Sequence, residues 1–356
     1  MTRLWLMVAA LAALNGALLL IRPAKSLLVR GTGRPRVGIV FDVGGRGDKS
    51  FNDGAYEGAM RAQRELGASV KLIEPGEGSD REAGLRLLAA QGVDLVIGVG
   101  FIFSDDLVAL SKEYPDVAFA GVDFAEPALP KDAAGKTVVL PNLCALKFRE
   151  EEGSFLVGAV AGLVSKSKVV GFVGGMDIPL IHKFEAGYRA GVRAVCEACR
   201  VIPQYAGVTP EAFRNPSKGK ELALSQIQQG ADIIYQAAGS TGLGVFEAAR
   251  STKRLAIGTD ADQSHEAPGT ILTSMVKGID TVVFETARRV KEGTFAGGVY
   301  SFGLAEKGVG YVYNERNRDL LPADVKARVD ALADEIVKGR IRPPATREAL
   351  QSWRHP

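Results

Sequence analysis

Chemistry-bearing residues are scarce in this chain, and each scarcity removes a class of function. Its 356 residues hold three cysteines, three histidines and two tryptophans. An odd, low cysteine count is not a disulfide framework. Cys196 and Cys199 form a C-x-x-C, which reads as a local disulfide or, preferably, as small buried thiols at the end of a helix. A zinc site needs a second pair of ligands, and His182, His265 and His355 lack metal spacing. No metal and no cofactor is expected. The nucleophile elbow G-x-S-x-G is missing, and no G-x-G-x-x-G follows the first strand in the dinucleotide register. The loop Gly44–Ser50 is glycine-rich, but Asp48 stands where a phosphate loop needs glycine before Lys49, and its charge would repel phosphate.

Net charge is lacking too. The chain has 44 basic and 41 acidic residues, and its first 26 residues carry Arg3, Arg22 and Lys25 with no acid. Without them the balance is 41 against 41 (44 − 3 = 41). A near-neutral body offers no basic face for neutralising phosphates, so no nucleic-acid partner is expected.

One long apolar run is present. Leu4 to Ile21 follows Arg3 and is broken only by Asn15 and Gly16. A basic start and an apolar stretch make an export segment. The run is long for a signal core and nearly long enough to span a bilayer. Residues 1–26 therefore read as a cleaved signal peptide or as a retained anchor in which 4–21 holds the protein at the membrane. Either way the body is expected in the periplasm or an equivalent extracytoplasmic space.

The body alternates strands and helices. Strands are predicted at Val37–Val43, Val70–Ile73, Val93–Val99, Val117–Val122, Lys168–Val173, Arg200–Tyr205, Ile233–Gln236, Leu255–Thr259 and Ile271–Val276. Helical patterns lie between them, one N-capped by Ser79. Apolar strands alternating with helices make an α/β protein with parallel sheets.

The pattern also repeats. Val37-Gly38-Ile39-Val40 matches Val170-Gly171-Phe172-Val173, and Gly58 falls on Gly191. Gln91-Gly92-Val93-Asp94 matches Gln229-Gly230-Ala231-Asp232, and Ala120-Gly121-Val122-Asp123 matches Ile257-Gly258-Thr259-Asp260. The offsets are 133 (170 − 37), 138 (229 − 91) and 137 (257 − 120) residues. Near-constant offsets in unchanged order imply two similar lobes: residues 36–142 with 265–295, and residues 143–264 with 296–345.

Two such lobes enclose a cleft, and ligands of open parallel sheets sit beyond the carboxyl ends of the strands. Asp42, Asp123, Gly239 and Asp260 follow strands; Phe51 and Phe184 occupy matching places at helix starts. Two rings facing each other would stack a planar ligand, and the carboxylates would accept hydrogen bonds from ligand hydroxyls or ring N–H groups. Lys277, after the strand Ile271–Val276, would offset a carboxylate and donate to ligand oxygens.

Phe41-Asp42-Val43-Gly44-Gly45 with Asp48-Lys49-Ser50-Phe51-Asn52 resembles the basic membrane protein family of bacterial solute-binding lipoproteins. Glu151-Glu152-Gly153-Ser154-Phe155-Leu156, Gly174-Gly175-Met176, Lys183-Phe184, Gly258-Thr259-Asp260-Ala261-Asp262-Gln263 and Ser274-Met275-Val276-Lys277 extend the resemblance over residues 37–338. It implies a type I periplasmic-binding fold and capture of a purine nucleoside for the permease of an ABC importer. It also implies a base held between Phe51 and Phe184 and read by Asp42 and Asn52 with Asp123 beside them, and a ribose held by Asp260 and Lys277 near Gly239. The chain departs from the family at its start: Leu18 to Ser26 has no cysteine to carry a lipid. Two rival functions share these residues, a ligand-sensing receptor subunit of the same fold and a nucleoside hydrolase using Asp42, Asp123 and Asp260.

Overall fold

The computed structural model describes residues 33–74 and 81–354. The segment 1–26, Ser79 and His355 lie outside the described residues.

Two six-stranded sheets organise the chain. The first contains β1 (Arg36–Val40), β2 (Ser69–Ile73), β3 (Leu95–Val99), β4 (Ala118–Val122), β5 (Leu143–Phe148) and β11 (Gly298–Phe302), in the order β11-β5-β4-β3-β1-β2. The second contains β6 (Val169–Met176), β7 (Arg200–Gly207), β8 (Ile233–Ala237), β9 (Leu255–Asp260), β10 (Ile271–Lys277) and β12 (Val309–Tyr311), in the order β12-β10-β9-β8-β6-β7. The two orders correspond strand for strand, so the sequence repeat is a repeat of topology. All pairings are parallel except β10 with β12. β3 and β4 are buried at every residue, which is why they read as unbroken apolar runs rather than alternating ones.

Helices cover the sheets. In lobe 1, α1 (Phe51–Leu66), α2 (Arg81–Ala90) and α3 (Ser104–Glu113) follow β1, β2 and β3. In lobe 2, α5 (Pro179–Val195), α6 (Pro216–Gln228) and α7 (Thr241–Ser251) follow β6, β7 and β8, and α4 (Glu150–Val164), α9 (Ala323–Val337) and α10 (Arg347–Ser352) pack beside them, whereas α8 (Ile279–Glu292) packs on α1 of lobe 1. The matched glycines explain two helix contacts. A Cβ on Gly58 would lie 2.4 Å from the Asp280 carbonyl oxygen of α8, and one on Gly191 would lie 2.0 Å from the Phe155 carbonyl oxygen of α4. Glycine at both places lets helix backbones pack in direct contact.

The lobe boundaries differ from the sequence reading. β5 pairs with β4, so 143–148 belongs to lobe 1; β10 pairs with β9, so 271–277 belongs to lobe 2; and β11 pairs with β5, so 298–302 returns to lobe 1. The chain therefore crosses between lobes three times, at 148–150, 277–279 and 302–309. Sheet membership is decided by long-range pairing, which no local period encodes.

Of the two alternatives for the C-x-x-C, the structure holds the disulfide rather than the preferred buried thiols. Cys196 and Cys199 are joined as a disulfide, and both are half-buried rather than core thiols. A turn at the end of α5, closed by the Cys199 amide donating to the Cys196 carbonyl, brings their Cα atoms to 5.3 Å, within disulfide reach. The buried free thiol is Cys144.

Candidate functional site

The carboxyl ends of the central strands of both sheets meet at a cleft of about 570 Å³, part of it open to solvent. All eight residues named from the sequence line it: Asp42, Phe51, Asn52, Asp123, Phe184, Gly239, Asp260 and Lys277. The fold brings them together because β1, β4, β8, β9 and β10 all end at this face.

On the lobe 1 side, the loop from β1 to α1 is organised by Asp48. Its carboxylate accepts from the amides of Ser50 (2.9 Å), Asn52 (2.9 Å) and Asp53 (3.2 Å), satisfying donors left free at the start of α1. Burial pushes its pKa up to about 6, with those amides opposing the shift. Asn52 is committed to the same loop: its Oδ1 accepts from the Asp42 amide at 3.0 Å and its Nδ2 donates to Asp48 at 3.1 Å. Asp42 accepts from the Val43 amide at 2.6 Å. Burial pushes its carboxyl up to about 7; the Val43 amide works against this, and the charges of Asp48 and Asp123 add to it.

Asp123 and Asp260 end equivalent strands, and both adopt the left-handed backbone region, with φ of 56° and 68°. That conformation is uncommon outside glycine, and aspartate tolerates it better than most residues. It appears in both lobes at the repeat's matched position.

Lys277 sits between the lobes. Its Nζ lies 2.7 Å from each carboxylate oxygen of Asp123 and 3.4 Å from Oε1 of Glu150. It is also 5.1 Å from the Phe51 ring centre, 4.8 Å from Phe148 and 5.5 Å from Phe184, distances at which a cation is attracted to an aromatic face. Desolvation pulls the ammonium's pKa down, but Asp123, Glu150 and Asp260 together hold it above its ordinary value. Burial in turn pushes Asp123 up to about 6 against the pull of Lys277. The cleft therefore keeps a fixed cation on a carboxylate-rich floor.

Phe51 is half-buried and Phe184 is 3% exposed. Asp260 Oδ2 accepts from Ser50 Oγ, whereas Asp260 Oδ1 is buried and has no hydrogen-bond partner among the described residues. The pKa of Asp260 is raised by burial, with Lys277 and Ser50 opposing. Chemically, the cleft offers apolar ring faces, a buried acceptor and one neutralised ammonium.

A family described as ABC transporter substrate-binding protein PnrA-like (Bmp) matches residues 36–346. The chain belongs to the Bmp family. It is 37% identical over 290 residues to an uncharacterised lipoprotein of Pyrococcus abyssi, covering 78% of this chain and 68% of that one. It is 31% identical over 328 residues to basic membrane protein A of Borreliella afzelii, covering 90% and 95%. A crystal structure of an ABC transporter solute-binding protein from Aeropyrum pernix K1 superposes with a TM-score of 0.78 at 31% identity, covering 89% of this chain and 96% of that one.

This Bmp-family protein thus has the type I periplasmic-binding fold and the family and fold of solute-binding proteins. Its cleft also contains residues that sequence reasoning did not place there. Phe101 and Phe213 line it and are separated from the named motifs. Asp48 lines it as well, although the sequence suggested for it only a repulsion of phosphate. Phe148 and Glu150 surround Lys277 from behind. Glu150 is fully buried and also accepts from Lys183 Nζ at 2.8 Å. A glutamate opening a helix ordinarily reads as a solvated first-turn acid, and nothing local marks this one as interior.

Proposed function

We propose that this protein captures a purine nucleoside in its interlobe cleft, outside the cytoplasm, and presents it to the permease of an ABC importer. The observation that carries this reading is the pairing of one unused buried acceptor, Asp260 Oδ1, with two aromatic rings on opposite lobes. A buried carboxylate oxygen without a donor is costly, so a ligand hydroxyl that donates to it gains a charge-assisted bond. Phe51 and Phe184 supply faces for a flat ring, and Asp42 supplies an acceptor for the N–H edge of a base. Lys277, held by Asp123 and Glu150, donates to ligand oxygens. Ligand contact with both lobes favours the closed arrangement, and the permease would read that closed form. Residues 4–21 would deliver the chain for export or hold it at the membrane.

Titration calorimetry of the protein with inosine, guanosine and uridine tests the reading. One-site binding of the purine nucleosides, tighter than that of uridine, is expected. No heat with either purine nucleoside would refute it.

A further inference from the structure

Ser50 occupies the N-cap position of α1, yet its hydroxyl makes no bond to its own helix. Asp48 performs the capping instead. The Ser50 hydroxyl, 1% exposed, crosses to the other lobe: Oγ donates to Asp260 Oδ2 at 2.6 Å and lies 3.2 Å from the Thr259 carbonyl oxygen. A second bond runs beside it in the opposite direction. Gln263, fully buried in the loop after β9, donates from Nε2 to the Lys49 carbonyl oxygen at 2.9 Å.

Gln263 is fixed before it reaches across. Its Oε1 accepts from Gln236 Nε2 at 2.9 Å and from the Thr259 amide at 2.8 Å, and its own amide donates to Ser274 Oγ at 3.2 Å. Gly258 leaves the room for this arrangement: a Cβ there would lie 2.7 Å from Gln263 Oε1 and 2.5 Å from Ser274 Oγ. Lys49 is equally constrained on its side, since its amide donates to Asp53 Oδ2 at 3.1 Å. Two rigid segments, one per lobe, thus exchange two hydrogen bonds. Neither Ser50 nor Gln263 lines the cleft.

We propose that Ser50 and Gln263 are positioning residues that form a two-bond clasp behind the ligand site. The clasp stabilises the closed lobes whatever ligand is held, and it occupies Asp260 Oδ2, leaving Oδ1 as the acceptor without a donor among the described residues. The proposal rests on the reading of that cleft as the ligand site. As bonds that join the two lobes, they are expected to slow ligand release and leave capture almost unchanged.

The test uses Ser50→Ala and Gln263→Met in the full body of the protein, with inosine, guanosine and adenosine as probes and stopped-flow kinetics as readout. A hydrogen bond to a charged group corresponds to a loss of roughly tenfold or more in affinity. The expected result is a loss of that size for Ser50→Ala, by the same factor for all three nucleosides, carried by a faster off-rate with an unchanged on-rate. Ser50→Thr, which keeps the hydroxyl, is expected to restore much of it. Gln263→Met should act in the same direction; should it fail to fold, Ser50→Ala decides. Wild-type off-rates in Ser50→Ala would overturn the clasp, as would a loss confined to one nucleoside. Should the wild-type protein bind no nucleoside, small-angle X-ray scattering of the ligand-free protein decides instead. A larger radius of gyration in both variants than in wild type then supports the clasp, and identical scattering overturns it.

Discussion

Lys277 and Asp123 stand 154 residues apart and belong to different lobes, yet the lysine Nζ is 2.7 Å from both carboxylate oxygens of the aspartate. The pair is buried, so neither charge is screened by water when its partner is lost. Lys277→Ala should therefore destabilise the ligand-free protein by about 3–5 kcal/mol, because Asp123 is left buried without its cation while Glu150 keeps only Lys183. The double variant Lys277→Ala/Asp123→Ala should recover part of that loss. Urea denaturation of the three proteins checks this, and a double variant no more stable than Lys277→Ala alone would contradict it.

Phe51 and Phe184, the two rings proposed to clamp the base, should behave differently. Phe184 is 3% exposed and packs in the main core, so Phe184→Ala should cost about 3–5 kcal/mol of ligand-free stability as well as binding. Phe51 is only half-buried. Phe51→Ala should leave the melting temperature nearer wild type while weakening nucleoside binding by about 1–3 kcal/mol, and Phe51→Tyr should retain more affinity than Phe51→Leu. Melting curves beside calorimetric titrations separate the two effects. An unchanged inosine affinity in Phe51→Ala would remove that ring from the clamp.

Asp260→Ala should discriminate between nucleoside and free base. Oδ1 is the unpartnered acceptor, and a charge-assisted bond from a sugar hydroxyl is worth about 1.5–3 kcal/mol. Inosine should lose about tenfold or more in affinity, and hypoxanthine much less. Equal losses for the two ligands would speak against a ribose contact.

Binding should release protons. Burial holds Asp42 at about 7 and Asp123 at about 6. A ligand that donates hydrogen bonds to these groups favours their ionised forms and lowers their pKa values. Affinity should then rise as pH increases from about 5 to about 7 and level off above, since the protons to be displaced are gone. Calorimetry near pH 6.5 in buffers of different ionisation enthalpy reads the proton count directly, and Asp42→Asn should flatten the slope. Proton uptake, or affinity that falls as pH rises, would contradict the assignment.

Part of the cleft was legible from the sequence because Phe51 with Phe184, and Asp123 with Asp260, sit at matched points of the repeat. Asp42, Gly239 and Lys277 stood out instead as residues after strands, and Asn52 through the family motif. Asp123 and Asp260 fall at matched ends of β4 and β9, and a period shared by two halves is visible without any knowledge of contacts. The crossings were not legible. Leu143–Phe148 reads as the start of a second half, and only its pairing with β4 assigns it to the first. Ser50 illustrates a different limit. A serine before a helix predicts a cap, and only the presence of Asp48 two residues earlier, already satisfying those amides, frees its hydroxyl to reach the other lobe. For Cys196 and Cys199 spacing alone leaves a disulfide and buried thiols both open, because it does not say whether a helix end turns tightly enough to join them.

The proposed selection of a purine nucleoside can be read from the bound ligand itself. The most direct test incubates the protein with an equimolar mixture of purine and pyrimidine nucleosides, free bases, nucleoside monophosphates and monosaccharides. Unbound compounds are removed, the protein is denatured, and the released ligand is identified by mass spectrometry. A purine nucleoside at close to one per protein is expected; release of a monosaccharide or a nucleotide, or of nothing, would rule out that selection.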